Sequence, residues 1–149
     1  MRAVVQRVTR ASVTVDGRVT GSIGPGLLVF VGVAIDDEQS DATYVAAKVA
    51  HLRIFKDENA LMNRSVLDTR GAVLLVSQFT LHGDVRKGRR PSFITAGREE
   101  LAEPLFGLVG SELHHLGVTV RYGEFGADMD VELLNQGPVT ILIDSKRIF

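Results

Sequence analysis

A chain of 149 residues matches the size of one domain, and 45% hydrophobic with 23% charged residues excludes wholesale disorder. A net charge of −1 argues against a generic nucleic-acid coat protein, and the absence of cysteine removes disulfides, thiolate nucleophiles and cysteine-ligated zinc together. Valine, with 20 copies against 16 leucines, tilts the class toward strands, because its branched side chain suits a pleated surface.

Arg2, Arg7 and Arg10 interrupt the N-terminus where a signal peptide would need its apolar segment. Residues Ala3 to Val15 alternate as a strand, with Ala11, Val13 and Val15 on one face and Ser12 and Thr14 on the other. Asp16-Gly17 tolerates positive φ at both turn positions and predicts a hairpin toward Val19. Gly24-Pro25-Gly26 breaks the chain before the apolar strand Leu27 to Ile35. The longest apolar run, Gly26 to Ile35, has ten residues and is too short to span a bilayer. The chain therefore reads as soluble, cytosolic and without a membrane partner.

Asp36, Asp37, Glu38 and Asp41 precede a helix expected over Tyr44 to Leu52, where Val45, Val49 and Leu52 share one stripe and the acids suit the helix dipole. A buried strand, Ala72 to Val76, runs into the polar segment Ser77-Gln78-Phe79-Thr80-Leu81. Leu101, Leu105, Leu108 and Leu116 mark a second helix, ended by Gly117 and started or kinked near Pro104. Strands follow at Val118–Tyr122, Met129–Leu134 and Val139–Asp144, the last two joined by Asn135-Gln136-Gly137-Pro138. With no repeat and no linker, residues 1–149 form one domain of the α+β class. The expected architecture is a strongly twisted, mostly antiparallel sheet or partial β-barrel with two packed helices.

Charge is unevenly placed. His82 to Arg98 carries Arg86, Lys87, Arg89, Arg90 and Arg98 against Asp84, a balance of +4, whereas Glu99 to Glu132 carries eight acids against Arg121, a balance of −7. Such asymmetry can aim one face at an anion, although for charge alone a solvated loop is the favoured reading. His51, His82, His114 and His115 have no metal-protease spacing, no phosphate-loop or dinucleotide glycine pattern occurs, and no Gly-x-Ser-x-Gly elbow is present. No cofactor and no metal are implied. Two polar segments remain. Ser77-Gln78-Phe79-Thr80 sits where a buried strand ends and loops present functional groups, or is simply a strand edge with backbone-bonded hydroxyls. Asn135-Gln136-Gly137-Pro138-Val139-Thr140 holds a Gly-Pro bond, which can be cis at modest cost, or is an ordinary hairpin turn.

Together these segments carry a resemblance. The opening Met1-Arg2-Ala3-Val4-Val5-Gln6-Arg7-Val8, Ser77-Gln78-Phe79-Thr80-Leu81, Lys87-Gly88-Arg89-Arg90-Pro91-Ser92-Phe93 and Asn135-Gln136-Gly137-Pro138-Val139-Thr140 resemble the D-aminoacyl-tRNA (D-tyrosyl-tRNA) deacylase family, in order and over nearly the whole chain. The resemblance implies a homodimer that hydrolyses D-aminoacyl-tRNA; rejection of L esters by a steric wall at Cα would let glycyl-tRNA through as well. It implies that Gly137-Pro138, as a cis pair, reaches into the partner's pocket. It also implies water activated by the terminal ribose 2′-hydroxyl. Catalytic positions would be Ser77, Gln78, Phe79 and Thr80. Leu81, Asn135, Gly137, Pro138, Thr140 and Arg7 would bind or gate the substrate, and Arg86, Lys87, Arg89 and Arg90 would meet tRNA phosphates. A Thr80-nucleophile esterase and a non-catalytic nucleic-acid binding module are the alternatives.

Overall fold

The computed structural model describes all 149 residues. Strand β1 (Arg2–Val15) turns through Asp16 (φ 50°) and Gly17 (φ 75°) into β2 (Arg18–Ile23), the left-handed pair that a tight hairpin needs. β1 is long enough to serve three partners, all antiparallel. Its second half pairs with β2, its first half with β3 (Gly26–Gly32), and its other edge with β8 (Asp130–Asp144). β3 then pairs in parallel with β6 (Ala72–Ser77), and β6 in parallel with β7 (Thr119–Tyr122). Parallel neighbours need crossovers, and helices α1 (Gln39–His51) and α3 (Glu99–His115) supply them.

The order β2-β1-β3-β6-β7 curls until its ends meet. A Cβ added to Gly21 on β2 would stand 2.2 Å from the Tyr122 carbonyl oxygen on β7, so only glycine lets these backbones approach. The α+β partial barrel is as the sequence predicts, with the two parallel pairings as its addition. Side chains sort into two cores. Ala3 and Val5 join Val45, Val49, Val109 and Leu113 between sheet and helices, while Val8, Val13, Leu28 and Leu74 fill the barrel interior. No helix is long and apolar enough to cross a membrane.

Four expectations need correction. The segments Met129–Leu134 and Val139–Asp144 are not two strands around a turn but one strand, because both halves pair with β1 rather than with each other. Opposite β1, the register jumps from Thr140 facing Gln6 to Asn135 facing Val8, so Gln136–Val139 bow out as a bulge. Helix α1 starts at Gln39, five residues before Tyr44, where the Glu38 backbone N–H donates to Asp41 Oδ2 at 2.8 Å. Burial would raise the Asp41 carboxyl, but hydrogen bonds from Ser145, the Glu38 backbone and Lys146 hold it at about 2. The second predicted helix starts at Glu99, and Pro104 lies in its second turn rather than at its start.

A short helix α2 (Val66–Thr69) and a small hairpin of β4 (Phe55–Lys56) with β5 (Met62–Arg64) fill the α1–β6 connection, which the sequence reading leaves blank. The α2 start is capped by Ser65, whose hydroxyl accepts from the Asp68 N–H at 3.2 Å. Finally, Ser77–Leu81 is not a strand edge. β6 stops at Ser77 and a 3₁₀ turn, Phe79–His82, takes over.

Candidate active site

The exit of β6 is fixed from several sides. The Gln78 N–H donates to the Val31 carbonyl at 2.8 Å, and the Leu81 N–H closes the 3₁₀ turn on the Gln78 carbonyl at 3.2 Å. At the far end the His82 ring is buried and its Nε2 lies 3.0 Å from the Gly32 carbonyl oxygen. Burial pushes the His82 imidazole below its ordinary value. The bond to Gly32 and the charge of Asp37 oppose that fall, and the charges of Arg2 and the α-amino group add to it; since a carbonyl oxygen can only accept, Nε2 is the donor to Gly32. Arg2 Nη1 donates to the Leu81 carbonyl at 3.0 Å. The segment between is thereby held rigidly at a strand end, where a site gains precision from its scaffold.

That segment lines a cavity of about 430 Å³ with Val76, Ser77, Gln78 and Phe79 on one wall. The start of α3, through Glu99, Ala102 and Phe106, forms a second wall, and the chain after β7, from Phe125 to Met129, forms the third. The volume lies within the range of about 300–1,000 Å³ usual for small-molecule sites. Thr80 does not line it. Its hydroxyl accepts a hydrogen bond from the Gln78 side-chain amide, and no histidine, lysine or carboxylate bonds to it, so it lacks the base a hydroxyl nucleophile needs. The Phe125–Met129 wall was missed in the sequence. Its signal was Phe125 between Gly123 and Gly126, an aromatic in a loop at the next strand end.

The second polar segment lies apart from this cavity. Asn135 Nδ2 donates to the carbonyls of Arg7 and Val139, both at 3.0 Å, and so clamps the two feet of the bulge. Gln6 Nε2 donates to Thr140 Oγ1 at 3.1 Å beside it. Arg7 lies under the bulge. It is 4% exposed, its guanidinium donates to the Ile54 carbonyl, and its Nε is buried with no partner. A Cβ on Gly137 would stand 2.7 Å from Arg7 Nη2, so the guanidinium packs directly against Gly137. Gly137 and Pro138, joined by a cis bond, are exposed and do not line the cavity of their own chain.

Beyond the 3₁₀ turn, backbone bonds between Asp84 and Ser92 (2.8 and 2.9 Å) close the basic loop at its base. Arg86 is consumed there. Its Nη2 and Nε donate to Asp84 at 2.7 and 2.9 Å; these bonds hold the Asp84 carboxyl at about 2 and push the Arg86 guanidinium up. Lys87, Arg89 and Arg90 are exposed and have no carboxylate partner. Of the candidate residues, then, Ser77, Gln78 and Phe79 share the cavity and Thr80 and Leu81 adjoin it. Arg7, Asn135, Gly137, Pro138 and Thr140 form a separate group, and the cations lie on a third surface.

Comparison with known proteins places the chain in a family. A sequence model of the D-Tyr-tRNA(Tyr) deacylase family matches residues 4–144. A D-aminoacyl-tRNA deacylase of Symbiobacterium thermophilum is 57% identical over the whole chain and 99% of its own length, and one of Koribacter versatilis is 58% identical over the whole of both. Among solved structures, a c-Myc DNA unwinding element binding protein superposes with a TM-score of 0.92 at 41% identity, covering 97% of this chain and 98% of its own. A probable eukaryotic D-amino acid tRNA deacylase shares the fold with a TM-score of 0.80 at 17% identity, over 95% and 97% of the two chains.

Proposed function

The chain belongs to the D-Tyr-tRNA(Tyr) deacylase family, and from that premise we propose that it hydrolyses the ester joining a D-amino acid, or glycine, to the 3′ end of tRNA. The observation that carries this reading is the Ser77–Gln78–Phe79 wall of a small-molecule-sized cavity whose one neighbouring threonine hydroxyl has no base. Such a site positions an ester and stabilises its developing oxyanion rather than attacking it. The backbone N–H groups of Phe79 and Thr80 hold the carbonyl, since that of Gln78 is already bonded to Val31; Phe79 gives an apolar wall, and the terminal ribose 2′-hydroxyl activates the water.

Stereochemistry is read by the bulge. In a homodimer, Gly137-Pro138 of one subunit enters the cavity of the other. The bulge supports this arrangement by being exposed on β8, which pairs only with β1 and leaves its outer edge free, with Leu134 and Leu142 exposed on the same strand. D and L esters differ only in which side of Cα carries the side chain, so fixed backbone on one side rejects L and passes glycine. Rejection by about 10⁴-fold requires about 5.5 kcal/mol, within reach of a steric wall. Arg7, packed against Gly137, and Asn135, clamping the feet, keep that wall in place. Lys87, Arg89 and Arg90 meet tRNA phosphates, which give affinity without sequence choice.

The DNA-binding name of one structural relative favours, as a second reading, a module that binds nucleic acid without chemistry. One experiment separates all three possibilities. Purified protein is expected to release D-tyrosine catalytically from D-tyrosyl-tRNA, and at least about 100-fold more slowly when the terminal adenosine lacks its 2′-hydroxyl, a difference of about 2.7 kcal/mol in barrier. No release from the ordinary tRNA overturns the deacylase reading in favour of the binding module. Equal release from both overturns ribose assistance and returns the chemistry to Thr80.

A further inference from the structure

Phe93 has no role in the cavity itself, yet it stands beside its rim, at the foot of the basic loop. Phe79, which lines the cavity, meets Phe93 edge-to-face with ring centroids 5.0 Å apart and planes at 70°. Large apolar side chains are ordinarily covered, but these two remain 56% and 36% exposed. Phe93 is also fixed in place. A Cβ on Gly83 would lie 3.1 Å from its Cε1, so the ring rests on the backbone at the end of the 3₁₀ turn, next to the Asp84–Ser92 closure. The exposed aromatic pair thus sits at the base of a loop whose Lys87, Arg89 and Arg90 have no carboxylate partner.

The opposite side of the cavity has the other sign. Its lining carries Glu99 and Asp128, within the stretch of net charge −7. A polyanionic chain whose last nucleoside occupies the cavity therefore leaves it across Phe79 and Phe93, toward the cations, and not across the acids. Unpaired bases stack on aromatic rings whatever their sequence, while a basic groove follows the backbone.

Resting on the deacylase reading, we propose that Phe93 is a stacking platform for the unpaired nucleotides immediately inward of the terminal adenosine, with Lys87, Arg89 and Arg90 taking their phosphates. The partner is the single-stranded 3′ end, not the duplex stem. This surface binds the polynucleotide and does not touch the reacting ester.

The test compares three D-tyrosyl esters: adenosine alone, the trinucleotide CCA, and full tRNA. Phe93→Leu keeps an apolar contact with Phe79 but has no π-face, and Phe93→Trp restores one. For Phe93→Leu, KM is expected to rise about tenfold or more on both the trinucleotide and the tRNA, with kcat within twofold. Its kinetics on the adenosine ester should be those of the parent, which also shows that the variant is folded, and Phe93→Trp should recover the KM. An equal change on all three esters, or none on any, overturns the proposal. So does a rise confined to full tRNA, which would assign Phe93 to the stem. Failure of the deacylase reading looks different, because the unmodified protein would then hydrolyse none of the three.

Discussion

Gly137→Ala is expected to lower D-tyrosyl-tRNA turnover by about 100-fold or more, the cost of misplacing a site by about 1 Å. The reason is local. Gly137 has φ 120°, a conformation L side chains rarely adopt, and its added Cβ would lie 2.7 Å from Arg7 Nη2 and 2.9 Å from Val139 Cγ2. The Arg7 guanidinium is not free to retreat, being buried and already bonded to the Ile54 carbonyl. The bulge must move instead, and with it the wall proposed to read stereochemistry. Because the bulge itself is exposed, the loss of stability should be only about 1–3 kcal/mol, the usual strain at such a position. Gln136→Ala, one residue away and exposed, is the control and should stay within twofold of the parent. Steady-state kinetics beside thermal melts check both. A folded Gly137→Ala protein with parental rates on D and L esters would remove Gly137 from the filter.

Gly21→Ala should cost mainly stability. Its Cβ would meet the Tyr122 carbonyl oxygen at 2.2 Å and Leu74 Cδ1 at 3.0 Å, one a backbone atom and the other in the barrel interior. Neither can rotate away, so β2 must part from β7. Overpacking costs about 1–3 kcal/mol, which for a chain of this size lowers Tm by about 3–10 °C. Activity should fall with it, because β7 leads directly into the Phe125–Met129 wall, anchored where the Gly123 N–H donates to the Leu75 carbonyl at 3.0 Å. A melting temperature within about 1 °C of the parent would mean that the barrel does not close at this seam.

Most of the architecture was legible because it follows from local rules. Alternation marked β1, Asp16-Gly17 marked its hairpin, and unbroken apolar runs marked the buried strands β3 and β6. What could not be read locally was partnership. Asn135-Gln136-Gly137-Pro138 has turn composition, and only the pairing of both flanks with β1 makes it a bulge. Arg7 alternates like any strand residue, and nothing in its neighbours tells that Ile54 and Gly137, distant in sequence, bury it. For the candidate site, Ser77–Gln78–Phe79 was visible as polar and aromatic residues after a buried strand, whereas the third wall of the cavity required knowing that β7 lies beside β6. Arg86 illustrates the reverse case, since composition counted it with the free cations and geometry pairs it with Asp84.

The most direct measurement is parallel deacylation of D-tyrosyl-, L-tyrosyl- and glycyl-tRNA by the purified protein in the presence of a metal chelator. Steric reading of Cα by the Gly137-Pro138 bulge predicts rapid loss of the D and glycyl esters and an L ester at least about 10³-fold more stable, a discrimination of about 4.1 kcal/mol. Comparable loss of the D and L esters, or survival of all three, would contradict it.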